Sequence, residues 1–382
     1  MDALDRARRL IDGFAAEARA ELPPDTTLFD AHTHLGNDID GMAGRYEELT
    51  GILATHGFGG AFVFCMDEHD RAPGFRAPNN RTLAFAERSG GTLVPFVRLD
   101  LEVDPLAEAA RCLDLGARGI KLHPRAQKFS VSDERLEPIL ALAVERDVPI
   151  LIHGGRGLPP IADHLAALVE RNEGVRLIIA HAGIADLGGL AGRFGGVPGV
   201  YFDTSVWSAI DLLDLLRQVS PEQVVYASDY PYARQPNSLL LALRVARASG
   251  YGDDALRLLL GESALRILRH EPQPALTPPQ GIATLSQPMT FARIHQYLSM
   301  ATPLFWLRQG DAIGALGLAI NTAQEKDGFP ELSEQIHELL TTALELWTAS
   351  RAIDDEVERN AVGRTAFGLV HLSDVLAVTA HA

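Results

Sequence analysis

Two histidines stand one residue apart in FDAHTHLG, residues 29–36, directly after a short apolar run. Side chains at i and i+2 of an extended chain point to one face, so His32 and His34 can grip a single metal ion; the same pair can also be polar residues that merely finish a strand. Other chemistry-bearing residues follow apolar runs in the same manner: Arg98, Lys121 with His123, His153, His181 and Asp229. Imidazole nitrogens and a carboxylate oxygen suit zinc or a related divalent cation, and a catalytic site keeps one coordination position open for water. Such an ion lowers the pKa of that water towards neutrality, and a nearby carboxylate or histidine can shuttle the proton. The residues are scattered along the chain, so the chemistry requires a fold that gathers them.

Eight runs have strand character, at 27–34, 60–65, 93–100, 117–124, 149–155, 176–183, 200–206 and 224–231. Helical patterns lie between them, such as DPLAEAARCLDLG with an Asp start and a Gly stop, and SDERLEPILALAVERD, where Ser132 or Asp133 can cap. Near-continuous apolar strands, each followed by a helix, predict a parallel sheet covered by helices, and eight repeats fit a (β/α)8 TIM barrel. Strand carboxyl ends converge on one face of that fold, where its sites are built. An open doubly wound sheet is the alternative, but no GxGxxG follows the first strand.

The barrel domain is expected over 1–270, closing with GDDALRLLLGESALRILR, and a Pro-rich linker over 271–282. The remainder, 283–382, is rich in Ala, Leu, Glu and Thr with helical periodicity, which predicts an all-α C-terminal domain of three or four helices. That domain can serve dimerisation or cover the barrel mouth.

Composition narrows the function classes. Of 382 residues, 47% are hydrophobic and 22% charged, which is ordinary for a globular protein. No apolar run reads as long enough to cross a membrane, and the N-terminal segment is a charge-mixed amphipathic helix rather than a signal peptide. Only Cys65 and Cys112 are present, which fits a reducing cytoplasm better than a disulfide framework. A formal net charge of −16 argues against nucleic acid or anionic membrane as partner. A small-molecule substrate and a homo-oligomer, in the simplest case a dimer, are the expected partners.

DAHTHLG, ARGIKLHP, LIHGG, AHAG and ASDYP occur in the order in which similar segments occur in the amidohydrolase superfamily, within its amidohydrolase-related branch of hydrolases, decarboxylases and hydratases. The resemblance covers roughly 25–270, and the closing LLLGESALRIL resembles the helix that commonly ends such barrels. It implies that His32, His34, His153 and Asp229 bind the metal. His181 then polarises substrate or water, or binds a second ion, and Asp229 also accepts the water proton. Zn2+ is the metal the resemblance favours, as one essential ion, with two ions bridged by a carboxylated Lys121 as the other form.

Arg98 becomes a candidate clamp for a substrate carboxylate, because its forked donors match that group; it can also simply pair with Asp100. Lys121 is either a hydrogen-bond donor and substrate charge partner or the carboxylated bridge. His123 offers a substrate contact or a structural hydrogen bond, since Pro124 ends its strand. Tyr230, Tyr232 and Arg234 are candidates for the pocket lining, and Asp38 and Asp40 are turn formers. Together these readings imply a metal-dependent hydrolase acting on an amide, lactone or ester. Non-oxidative decarboxylation of an aromatic or unsaturated acid is the alternative, and a silent barrel scaffold with a helical assembly module is the third reading.

Overall fold

The computed structural model describes residues 2–281, 287–306, 309–325 and 329–380. The apolar runs become eight barrel strands: β1 (Leu28–Asn37), β2 (Phe58–Cys65), β3 (Leu93–Arg98), β4 (Gly119–Leu122), β5 (Ile150–Ile152), β6 (Leu177–Ile179), β7 (Val200–Asp203) and β8 (Val224–Val225). Neighbours pair in parallel from β1 through β8. Beyond β8 the chain keeps bonding to β1. Ala31 N donates to Tyr226 O at 2.9 Å, Asp229 N to His32 O at 2.9 Å, and His34 N to Tyr230 O at 2.7 Å. These bonds close the sheet into the expected barrel. A two-residue strand, Ala43–Gly44, adds antiparallel to the outer end of β1.

Alternation decides what fills the barrel. Phe29 and Ala31, Phe62 and Phe64, Val94 and Phe96, Leu151, Ile178 and Ala180, Tyr201, and Val225 and Ala227 form one buried cluster. They occupy every second position of their strands, so the next positions of the same parity include Arg98, His153, Asp203 and Asp229, and Lys121 joins them on β4 in register with Arg98. The apolar floor and the polar mouth are thus one continuous period-2 pattern. On β1 the register shifts between Asp30 and Thr33, and this irregularity lets Ala31 join the floor while His32 and His34 turn into the mouth. Buried Asp30 holds the shift in place: Oδ1 accepts from His32 N (3.1 Å) and Ser228 N (3.0 Å), and Oδ2 from Gln235 Nε2 (3.1 Å).

The closing segment packs beneath β1. Asp253–Arg257, a single π-turn at Leu258–Glu262 and Ser263–Leu268 follow one another, and a Cβ on Gly261 would lie 2.1 Å from Thr27 O, so only glycine permits that approach. Helix Pro105–Asp114 starts as its sequence suggests, with Asp104 accepting from Ala107 N at 3.2 Å. The next helix differs. Neither Ser132 nor Asp133 caps it; it begins at Leu136, because Asp133 is taken by Arg135, accepting from its backbone N at 3.0 Å and its guanidinium at 2.7 Å.

The proline-rich segment is strapped to the barrel rather than free. Gln273 bonds Gly199 N and Glu222 O, and Thr277 Oγ1 donates to the Glu222 carboxylate at 2.9 Å. Helices Met289–Trp306, Ala312–Ala323, Pro330–Ser350 and Glu356–Val378 follow. They share a hydrophobic core with the barrel's outer layer, and pack on Ala3–Ala20 and Gln235–Ala248. Glu356–Val378 reaches the segments at the mouth: Phe367 stacks edge-on against Trp207 at 4.9 Å, Gly368 O accepts from Asn237 Nδ2 in the first turn of Gln235–Ala248 at 2.9 Å, and Arg364 Nη1 meets Met42 Sδ at 3.6 Å.

That helix corrects one sequence expectation. Its length and mean hydropathy of 1.3 satisfy the requirements for a membrane span, although no such run was anticipated. Here 67% of the apolar window is buried inside the fold, so packing against the barrel and its sister helices accounts for the hydropathy.

One ion pair ties the helices together. His295 Nδ1 lies 2.7 Å from Asp374 Oδ1, and that hydrogen bond raises the His295 pKa above its ordinary value. A histidine raised on folding contributes fully below its unfolded pKa of about 6.5 and loses that contribution as pH climbs through the folded value. His295→Gln is therefore expected to cost about 1 kcal/mol at pH 6 and less at pH 9, read as the gap between wild-type and variant melting temperatures at each pH.

Candidate active site and metal centre

At the barrel mouth His32 Nε2, His34 Nε2 and an Asp229 oxygen meet. The two nitrogens lie 3.2 Å apart, and Asp229 Oδ1 is 3.3 Å from His32 and 3.2 Å from His34. Three ligand atoms this close, drawn from both ends of the barrel sequence, have the donor types and spacing that can hold a cation. Asp229 reaches it from a left-handed backbone (φ 62°), a conformation that Asp tolerates better than most residues. His181 and Ala182 also sit at positive φ (59° and 54°), so three non-glycine residues hold unfavourable conformations where the strands end.

His32 is oriented from behind. Its Nδ1 lies 2.7 Å from Asp203 Oδ2, leaving Nε2 to face the cluster. Asp203 Oδ1 accepts from His181 N (2.8 Å), Ser205 N (2.9 Å) and Ser205 Oγ (2.5 Å). His181 Nδ1 bonds Ser205 O at 2.8 Å, which leaves its Nε2 available to the site. Carboxylates that fix the far nitrogen of a ligating histidine are a regular part of metal centres. The sequence reading passed over Asp203 and Ser205. Asp203 had a signal, the same period-2 position at a strand end as Arg98 and Lys121, but an acid after an apolar run is too common to stand out alone.

The other candidates differ in position. His153 does not join the converging trio; its ring stacks on His123 with centroids 3.8 Å apart and meets His181 edge-on at 4.7 Å. Neither nitrogen of this buried ring makes a well-formed hydrogen bond. Buried polar atoms are rarely left so, and unmet imidazole nitrogens beside the trio are what a site built for a cation presents. Glycine at 155 makes room: a Cβ there would lie 2.7 Å from His153 Cε1 and 2.8 Å from His181 Cδ2. His123 Nδ1 accepts from Ala126 N at 3.3 Å, capping the short helix Pro124–Gln127, so its structural bond and its stacking on His153 coexist.

Lys121 is fully buried, with Nζ 3.3 Å from His32 Nε2 and over the Phe64 ring at 4.7 Å. Arg98, 2% exposed, donates from Nη1 to Cys65 O at 3.3 Å, while Nε and Nη2 have no partner. It does not pair with Asp100 or any other carboxylate among the described residues. A buried guanidinium with unmet donors is costly, since removing the partner of a buried charge typically costs about 3–5 kcal/mol. Tyr232 donates to Asp38 Oδ2 at 3.1 Å and sets its ring edge-on to His34 at 5.8 Å. Tyr230 and Arg234 instead turn to Glu48, at 3.1 and 2.8 Å. Asp38 and Asp40 accept from backbone N–H groups two residues on, as turn formers do.

Burial dominates the electrostatics. It holds His32 and His34 well below the ordinary histidine pKa, with the Lys121 cation adding to the effect, so both rings stay in the neutral form that ligates metals. Burial, then the neighbouring imidazoles, lowers His153 and His123 likewise. Lys121 is pushed down to about 7 by burial, against the pull of Asp203 and Asp229. Asp229 is pushed up to about 6 by burial, against the pull of His181 and Lys121.

Comparison with known proteins follows the same strands. The amidohydrolase family profile matches residues 29–270, while no curated protein matches the chain. Among solved structures the chain is similar to 5-carboxyvanillate decarboxylase from Sphingomonas paucimobilis, at 16% identity and TM-score 0.47, over 64% of this chain and 99% of that one. It is similar to 4-oxalomesaconate hydratase from Rhodopseudomonas palustris, at 16% identity and TM-score 0.49, over 64% and 96%. A dihydroxybenzoic acid decarboxylase from Polaromonas sp. JS666 with bound manganese shares 12% identity, TM-score 0.49, over 64% and 97%. Likenesses of this size carry nothing about chemistry. The family profile spans residues 29–270 of 382, over half of the chain and all eight barrel strands but the first residue of β1, and the protein belongs to the amidohydrolase family.

Proposed function

We propose that the protein is a metal-dependent hydrolase that cleaves an amide, lactone or ester bond in a small carboxylate-bearing substrate. The convergence of His32, His34 and Asp229 carries this reading. Their neutral imidazoles and carboxylate would hold one divalent cation, and the N,N,O donor set suits Zn2+, with the unmet nitrogens of His153 as the fourth contribution. When bound, such an ion polarises the scissile carbonyl and makes water a nucleophile near neutral pH.

The chain's own residues do the rest. Asp203 keeps His32 in the tautomer whose Nε2 faces the cluster. As water oxygen bonds to the carbonyl carbon, its proton passes to Asp229, whose side chain is 13% exposed and within reach of solvent; that proton then goes to the departing nitrogen or oxygen as the bond to carbon breaks. His181, whose Nδ1–H is donated to Ser205 O, faces the site with the lone pair of Nε2 and orients the attacking water by accepting from it. Arg98 supplies two unmet donors for a substrate carboxylate, and that buried cation is our reason for assigning an acidic substrate. Lys121 acts as a charge partner beside His32, consistent with a single essential ion. Both cysteines are buried free thiols, which supports a reducing compartment such as the cytoplasm.

Metal content and turnover test the reading together. Protein reconstituted with zinc is expected to retain one ion per chain, unchanged in Lys121→Ala with bicarbonate present, and to hydrolyse members of a panel of lactones, esters and amides that carry a carboxylate. Failure to bind any divalent ion would remove the proposal. Carbon dioxide released from aromatic acids without any hydrolysis would assign decarboxylation instead.

A further inference from the structure

A cavity of about 980 Å³ separates the barrel mouth from the C-terminal helices. Its barrel wall includes Met42, after β1, and Tyr232 and Arg234, after Asp229; its helical wall includes Trp347, Arg364 and His371. The metal-binding trio does not line it, and the Tyr232 ring stands between the two spaces. Its volume suits a small molecule.

Two polar groups at this cavity lack partners, and a third, Arg364, has only a thioether. Arg364 is partly buried, and among the described residues its guanidinium meets only Met42 Sδ at 3.6 Å, with no carboxylate at ion-pair distance. The neighbouring acid, Glu48, is already taken by Arg234 at 2.8 Å. Scarcity of acids is not the reason, because Asp and Glu number 50 against 34 Lys and Arg. Burial first, and then the Arg234 cation, lower the Arg364 pKa against the pull of Glu48, so no carboxylate in direct contact steadies the charge. Trp347, 8% exposed, presents an indole N–H with no acceptor, and His371, 7% exposed, presents an unmet Nε2. Arg364, Phe367 and His371 fall at i, i+3 and i+7 on one helix, so a single face carries a cation, an aromatic ring and a hydrogen-bonding nitrogen to the cavity.

We propose that this cavity is a second binding site, distinct from the metal centre, for a small organic acid with an aromatic or apolar body. Its carboxylate pairs with Arg364 and accepts from Trp347 Nε1, and its body packs on the Trp347 and Phe367 rings. The helical region thus contributes recognition that the barrel alone does not supply.

The test is isothermal titration of the full chain, with and without a metal chelator, against aromatic carboxylates such as 4-hydroxybenzoate, each paired with its neutral amide. At least one carboxylate is expected to bind chelated protein about tenfold or more tightly than its amide. Arg364→Gln should lose that preference and Arg364→Lys should recover part of it. Binding that vanishes on chelation, binding indifferent to Arg364→Gln, or no carboxylate bound to chelated wild type would each overturn the proposal; the wild-type comparison needs no variant to fold.

Discussion

Asp229→Asn is expected to lower kcat/KM about a thousandfold while leaving the melting temperature nearly unchanged. The separation of the two effects follows from position. Asp229 adopts φ 62°, which asparagine accepts as readily as aspartate, and its backbone N–H bond to His32 O is independent of the side chain. The carboxamide, however, cannot take a proton and binds a cation more weakly than the carboxylate that stands 3.2 Å from His34 Nε2. Steady-state kinetics on zinc-loaded protein, beside a thermal melt, checks both halves. A loss below tenfold would show that the proton goes elsewhere, with His181 the next group to test.

Asp203→Asn should act one step further back, weakening metal binding by about 10- to 100-fold without removing a ligand. Three donors, His181 N, Ser205 N and Ser205 Oγ, converge on Oδ1, so an asparagine keeps its oxygen there and turns its NH2 towards His32 Nδ1. That ring nitrogen must then accept, the proton moves to Nε2, and the lone pair that faces the trio is lost. Competition against a chelator of known affinity measures the change, and an unaltered affinity would mean that His32 is held by packing against Phe64 and His181 alone.

Much of this site was legible in the residues themselves. HxH on a strand, and Arg98, Lys121, His153 and Asp229 as the last polar members of a period-2 series, follow from backbone geometry, because alternation is local and survives in any sheet. Eight strand–helix repeats specify the barrel for the same reason. Asp203 obeyed the rule and escaped notice, since nothing local distinguishes an acid that steadies a histidine from one that ends a strand. Ser205 matters only through the Asp203 and His181 atoms it joins.

What the tertiary structure alone decided are distances between residues remote in the chain. Local pattern says which face a side chain takes; how close it comes to a residue on another strand depends on barrel closure and strand stagger. Closure brings Asp229 to His32 and His34 and stands His153 against His123 rather than in the trio. It also leaves Arg98 with unmet donors in the interior, which no sequence periodicity can express. The apolar Glu356–Val378 helix is the clearest case: its composition suits a membrane or a core equally, and docking against Trp207 after β7 and Asn237 in the helix after β8 made it the roof of a cavity beside the His32–His34–Asp229 cluster.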